Sequence, residues 1–383
     1  MPTYTLLYIQ MKAGIYIHIP FCLSRCIYCG FYSTTDLGWQ EQYIDALIDE
    51  IHMRHDEVKG LNYEFSTIYI GGGTPSTLAA HEVCRILDEI AATFKCSPCE
   101  TTIEVNPDDI TIEYVAELKK AGVNRISMGV QTFNDSRLKF IHRRHSAREA
   151  EEAFGCIRQS GIENISIDLM FGFPNETLDD WKEDIDKALS LNPEHISAYS
   201  LMYEEGTALY KMMETSKVNQ VDDDTYLEMY SLLIDTLEAN GYEHYEISNF
   251  AKPGRQSIHN SSYWNDTPYI GIGAAAHSYY LHERSWNIAD IRTYVSNIQH
   301  GIRPYESEKI DADTHYDDMI TTALRTREGL DLRCLHPKYR KYATENAQES
   351  ISNGLLVIAD NHLRLTRKGL FVSDMVMSYL MKV

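Results

Sequence analysis

Between residues 14 and about 240, short apolar runs rich in β-branched residues alternate with longer runs of helical period. The first run, 15–19, reads Ile-Tyr-Ile-His-Ile, and runs at 66–70, 101–105, 125–130, 164–169 and 195–201 repeat its character. Apolar residues recur at helical spacing over about 39–54, 78–94, 111–121, 146–160, 177–191 and 222–240. Six βα units in series predict a parallel sheet with helices outside it. Strands this short and continuously apolar suit burial on both faces. A closed or partly closed barrel and an open doubly wound sheet both satisfy the pattern. In either, functional residues belong at the carboxyl ends of the strands.

The character changes after residue 240. Residues 242–250 alternate like a strand, and 259–278 are dense in aromatic residues, histidine and glycine. The stretch 241–310 reads as a cap and connecting region over the open side of the core. From about 311 a helical module begins. Residues 354–369 read as two short strands around an Asp-Asn turn, then a helix, a winged-helix-like pattern. The expected division is a leader over 1–13, a core over 14–240, the cap over 241–310 and the C-terminal domain over 311–383. Met11 is an alternative start. The first ten residues lack the basic start and cleavage site of a secretory signal. No run of about 18 apolar residues predicts a membrane span.

The net charge is −21. A polyphosphate backbone is repelled by such a surface, so no nucleic-acid partner is expected, and the winged-helix-like end reads as a lid or docking surface. Eight cysteines, three of them clustered, suit a reducing cytoplasm better than a disulfide framework. Cys96 and Cys99 form an isolated C-x2-C pair, read as incidental loop thiols.

Cys22, Cys26 and Cys29 form a C-x3-C-x2-C run directly after the first strand. Soft thiolates in a loop select an iron–sulfur cluster, zinc or Cu(I). A structural zinc wants four closed ligands and an electron-transfer cluster normally four cysteines. Three cysteines leave one iron of a four-iron cube open. The alternatives are a zinc site borrowing His18, or three unrelated thiols. The second strand ends in Gly71-Gly72-Gly73-Thr74-Pro75, where glycines admit close backbone approach and successive amides attract anions. Glu104 sits inside an apolar strand, a costly place for an unpartnered carboxylate. His259, Asn260, Tyr263 and Trp264 form a compact group that either faces a flat aromatic ligand or centres on a satisfied turn histidine.

The stretch 15–32 resembles the signature of the radical S-adenosylmethionine (SAM) superfamily, and its lead-in at 16–22 that of the oxygen-independent coproporphyrinogen III oxidase-like family. The resemblance implies a (β/α)6 partial TIM-type barrel with a [4Fe–4S] cluster whose open iron is chelated by SAM. Reductive SAM cleavage to methionine and a 5′-deoxyadenosyl radical is the implied chemistry, with a low-potential donor such as flavodoxin or ferredoxin. Matching the family's motifs, Tyr16, Gly72, Gly73, Thr74, Glu104, Gln131, Arg143, Asp168, Met202 and His277 are the expected SAM contacts. Arg144, beside Arg143, competes for its role. The family often carries a fourth cysteine where this chain has Phe31. That difference resembles the haem-chaperone branch, which implies haem, with His259 as candidate ligand, and haem-accepting partner proteins. The alternative is the dehydrogenase, which converts two propionates of coproporphyrinogen III to vinyl groups. The expected location is cytoplasmic, with at most peripheral membrane association.

Overall fold

The computed structural model describes residues 11–382. Strands β1 (Met11–Ile19), β2 (Tyr63–Gly72), β3 (Cys96–Val105), β4 (Arg125–Gln131), β5 (Asn164–Phe171) and β6 (His195–Ser200) pair in chain order, all parallel. Between them run α1 (Gln40–Val58), α2 (Ala80–Thr93), α3 (Ile112–Lys120), α4 (Asp135–Phe140), α5 (Ala147–Gln159) and α6 (Leu178–Leu191). Short α7 (Ala208–Glu214) and α8 (Asp223–Ala239) follow β6. The result is a (β/α)6 partial barrel: β1 and β6 take other neighbours instead of pairing with each other.

The alternation read from the sequence is what orients β1. Ile15, Ile17 and Ile19 are fully buried, in one core with Tyr43, Leu47 and Ile51 of α1. Tyr16 and His18 alternate to the opposite side. Helix starts follow local capping chemistry: Ser146 with Glu149 and Thr177 with Asp180 form reciprocal caps at α5 and α6.

Two boundaries move. Met11, Lys12 and Ala13 pair with Tyr63, Glu64 and Phe65, so they extend β1 instead of ending a leader. The rest of that leader lies outside the described residues. Cys96 and Cys99 lie on β3 rather than in a loop; both are free thiols, and Cys99 Sγ donates to the Ser66 carbonyl at 3.3 Å.

The expected cap is a larger correction. Residues 241–310 extend the sheet at both edges. β7 (Glu243–Glu246) and β8 (Asn249–Ala251) form an antiparallel pair beside β6. β9 (Tyr269–Ile272) joins β1 in parallel, then β10 (His277–Tyr279), β11 (Glu283–Asn287) and β12 (Tyr305–Lys309) continue antiparallel. Short α9 (Ile258–Ser262) lies between these groups, and α10 (Ile291–Gln299) packs on α1.

A buried polar network locks that edge to α1. Glu50 accepts from Gly273 N at 2.8 Å, Asn287 Nδ2 at 2.8 Å and the Tyr294 hydroxyl at 2.6 Å. Arg54, also buried, donates to Ser278 Oγ at 2.9 Å and pairs with Glu57. Gly273, at φ 106°, admits no side chain, because a Cβ there meets the Tyr43 hydroxyl at 2.5 Å. Breaking one member of a buried charged network is far costlier than its net worth. Glu50→Ala is therefore expected to lower stability by about 3–5 kcal/mol in urea unfolding; a loss within 1 kcal/mol, roughly a surface value, contradicts it.

The C-terminal module has a core of its own around Tyr316, Ile320, Leu324, Leu363 and Val376. It is mainly helical, with a three-stranded sheet formed by Leu330–Asp331, Leu356–Ala359 and His362–Leu365. Ile247 N donates to the Arg325 carbonyl and Arg327 N to the Tyr245 carbonyl, which ties the module to β7. No helix among the described residues is long and apolar enough to cross a membrane.

Candidate functional site: a thiol-lined cavity at the strand ends

The chain leaving β1 is clamped at its base. Thr34 N donates to the Pro20 carbonyl at 2.7 Å and Cys22 N to the Thr34 carbonyl at 2.9 Å, closing the cysteine loop. The triple-glycine turn is strapped beside it, Gly73 N to Ile19 O and Thr74 N to Phe21 O, both 2.8 Å. A Cβ on Gly73 would sit 2.8 Å from Phe21 O and 3.0 Å from Cys22 Sγ. Only a bare backbone permits that approach.

The loops enclose a cavity of about 630 Å³. Cys22, Cys26 and Cys29 line it, as do Gly72, Gly73, Thr74, Glu104, Gln131, Arg143, Asp168 and Met202. Burial raises the Cys22 and Cys29 thiols above their ordinary value; a hydrogen bond from Thr74 Oγ1, 3.5 Å from the sulfur, eases Cys22. Arg143 Nη1 reaches Cys26 Sγ at 3.9 Å, Nη2 donates to the Gly129 carbonyl, and Nε is buried without a partner among the described residues. Arg144 is held by Asp108 and Asp109, both at 2.8 Å, so Arg143 is the arginine turned to the thiols.

Across the cavity stand two carboxylates. Glu104 accepts from the Tyr69 hydroxyl at 2.7 Å and Gly72 N at 3.1 Å. Burial nevertheless pushes it up to about 7, and Asp168 adds to the rise. Asp168 is raised by burial too, though Arg125 and the Ser127 hydroxyl, 3.2 Å away, oppose this. Two desolvated acids facing one cavity favour a cationic occupant. Gln131 reaches the cavity through a register shift between β4 and β5 and a left-handed backbone, φ 70°. That conformation costs a non-glycine residue roughly 1–2 kcal/mol, and such bulges re-aim side chains beside functional sites.

Three expected residues fall elsewhere. Tyr16 lies one ring behind the cavity, stacked on Tyr69 with centroids 6.2 Å apart, its hydroxyl 3.0 Å from His18 Nδ1. His277 is the exposed first residue of β10, stacked on Trp286. His259 is fully buried, Nδ1 at 2.9 Å from Thr67 Oγ1 and Nε2 at 2.9 Å from the Tyr263 hydroxyl. With both nitrogens engaged and its basicity lowered to about 3 by burial, it braces β2 against α9 and presents no free ligand atom. Its neighbour Asn260 is the member of that motif lining the cavity. His18 is likewise spent, on the Tyr16 hydroxyl and the Tyr32 carbonyl, which removes it as a fourth zinc ligand. Sequence reasoning missed Tyr69, Ser127, Ser197 and Tyr199, also on the lining. Strand alternation was the available signal: Tyr69, Ser127 and Ser197 share their strands' inward register with Glu104 and Asp168.

The donor set fits a cluster with an open iron. Three soft thiols stand at one end, a glycine cradle that a Cβ would fill stands beside them, and a buried guanidinium nitrogen lacks a partner among the described residues. Fold and cavity together define a protein of the radical SAM class. The radical SAM superfamily model matches residues 16–188, and the HemN C-terminal domain model matches 310–372. The chain is 35% identical to heme chaperone HemW of Bacillus subtilis, over 96% of this chain and 98% of that one. It is 36% identical to heme chaperone HemW of Escherichia coli over 69% of each chain. The chain belongs to the HemW family. The solved coproporphyrinogen III oxidase HemN of Escherichia coli shares its fold, with a TM-score of 0.83, 22% identity and coverage of 97% of this chain and 91% of that one.

Proposed function

We propose that the protein is a haem chaperone, binding haem and passing it to acceptor proteins while holding a [4Fe–4S] cluster and SAM. The observation that carries this reading is Phe31. It is 72% exposed on the cavity lining, two residues beyond Cys29, where a fourth thiol would suit the dehydrogenase. Kinship with heme chaperones supports the same reading. Acceptor proteins and a low-potential donor such as flavodoxin or ferredoxin are the partners proposed. Eight free cysteines suit a reducing cytoplasm.

Cys22, Cys26 and Cys29 hold the cluster. Gly72, Gly73 and Thr74 meet the methionine amino group, Arg143 the carboxylate, and Glu104, Gln131 and Asp168 the remaining polar groups of SAM. When bound, cluster and SAM supply one-electron reductive chemistry at the sulfonium. The chain's part is to orient them and to keep Glu104 as a charged acceptor.

Glu104 makes SAM affinity pH-dependent. A carboxyl that titrates at about 7 in the free protein must lose its proton to favour a cation. SAM affinity is expected to be flat above that value and to fall below it, approaching about tenfold per pH unit. Equilibrium binding to Glu104→Gln should lose the slope; a slope that persists assigns it to another group.

The direct test supplies anaerobically reconstituted protein with SAM, reductant and coproporphyrinogen III in one assay and with haem in a second. Stoichiometric haem uptake without protoporphyrinogen is expected. Protoporphyrinogen formation contradicts the chaperone reading.

A further inference from the structure

We infer that haem binds at the mouth of the same cavity, with the His142 imidazole as an iron ligand. This rests on the haem-chaperone reading and names its site. His142 is the histidine on the cavity lining among the described residues, and it is exposed. Its ring nitrogens make no hydrogen bond among the described residues; its backbone carbonyl accepts from Ser24 Oγ at 3.4 Å. The cavity-facing imidazole is thus free, in contrast to His259, whose two nitrogens are spent.

The backbone adds a second observation. His142 has φ 62° and closes α4, with its own N donating to Lys139 O and Arg143 N donating to Leu138 O. Glycine fills such a left-handed helix end without strain. Histidine occupies it with backbone strain that glycine avoids. A strained residue carrying an unengaged metal-binding ring at a cavity mouth is a candidate for function.

The surroundings suit a flat apolar macrocycle with acidic edges. Phe31, Met202 and Tyr199, 72%, 57% and 41% exposed, line the same cavity. Large apolar groups exposed together mark a binding surface. Arg25, also on the lining and exposed, touches only the Cys29 carbonyl, at 3.4 Å, and forms no ion pair among the described residues. It is available for a propionate. Thiols and acids form the other part of the cavity, so haem and SAM occupy one continuous space.

The test titrates ferric haem b anaerobically into the full-length, cluster-reconstituted protein, read by absorption and electron paramagnetic resonance. His142→Gly keeps the left-handed turn and folds. It is expected to lose the nitrogen-ligated spectrum and to bind haem about tenfold more weakly or worse. Added free imidazole should restore that spectrum, which a merely structural role would not allow. His259→Ala should keep the spectrum at a lower melting temperature. A wild-type spectrum from His142→Gly, or its loss from folded His259→Ala alone, overturns the assignment. If the wild-type chain takes up no haem, the chaperone reading falls first and this site with it.

Discussion

Cys26→Ser is expected to yield a folded chain that retains less than about a tenth of the wild-type cluster iron, because a hard hydroxyl replaces one of three soft donors. Cys26 is half-buried on the cavity lining and outside the hydrophobic core, so the fold does not depend on it. Its sulfur lies 3.9 Å from Arg143 Nη1 and interacts with the Tyr28 side chain. Two thiolates cannot hold a cube against loss of iron. Stability compared between cluster-free forms should change by no more than about 0.5 kcal/mol. Iron and sulfide analysis, with the visible spectrum of reconstituted protein, checks this. A normal cluster content in the serine chain would mean that the ligand lies elsewhere.

The second large effect comes from one methyl group. Gly73→Ala places a Cβ 2.8 Å from Phe21 O, 2.9 Å from Pro20 C and 3.0 Å from Cys22 Sγ. Two of those atoms are backbone, and both belong to the clamped base of the cysteine loop. Neither can rotate away, so the strap between the glycine turn and Cys22 must open. Overpacking of this kind costs about 1–3 kcal/mol. The expected result is a lower unfolding midpoint together with poor cluster retention and weak SAM binding. Gly122→Ala is the comparison: its Cβ meets nothing within 4 Å, though its φ of 100° carries backbone strain. It should lower the midpoint yet keep the cluster. Equal cluster loss in both variants would remove steric contact with Cys22 as the cause.

The cysteine loop and the glycine turn were legible because each is local. Both follow a strand directly, and spacing along the chain fixes their chemistry. Glu104 was legible for a related reason, as a carboxylate inside an apolar run, and Asp168 through its match to the family's motif. The edge strands from 269 to 309 were not. Their docking depends on Glu50, Arg54, Asn287 and Tyr294 meeting across more than 200 residues of chain, and no periodicity records such a network. His259 looked like a ligand because histidine, tyrosine and tryptophan cluster near it. Whether its ring faces a cavity or the core depends on Thr67 and Tyr263. His142 shows the converse. Nothing in its local sequence marks it, because its left-handed turn and its place on the lining come from how α4 ends. The choice between Arg143 and Arg144 is likewise made by Asp108 and Asp109, which bind the second arginine.

Mössbauer spectroscopy on iron-57-reconstituted protein, with and without SAM, tests the central claim most directly. The expected spectrum is that of a [4Fe–4S] centre at about one per chain, in which SAM alters the signal of a single iron site. A zinc-filled site, a centre of another type, or four irons indifferent to SAM would contradict it.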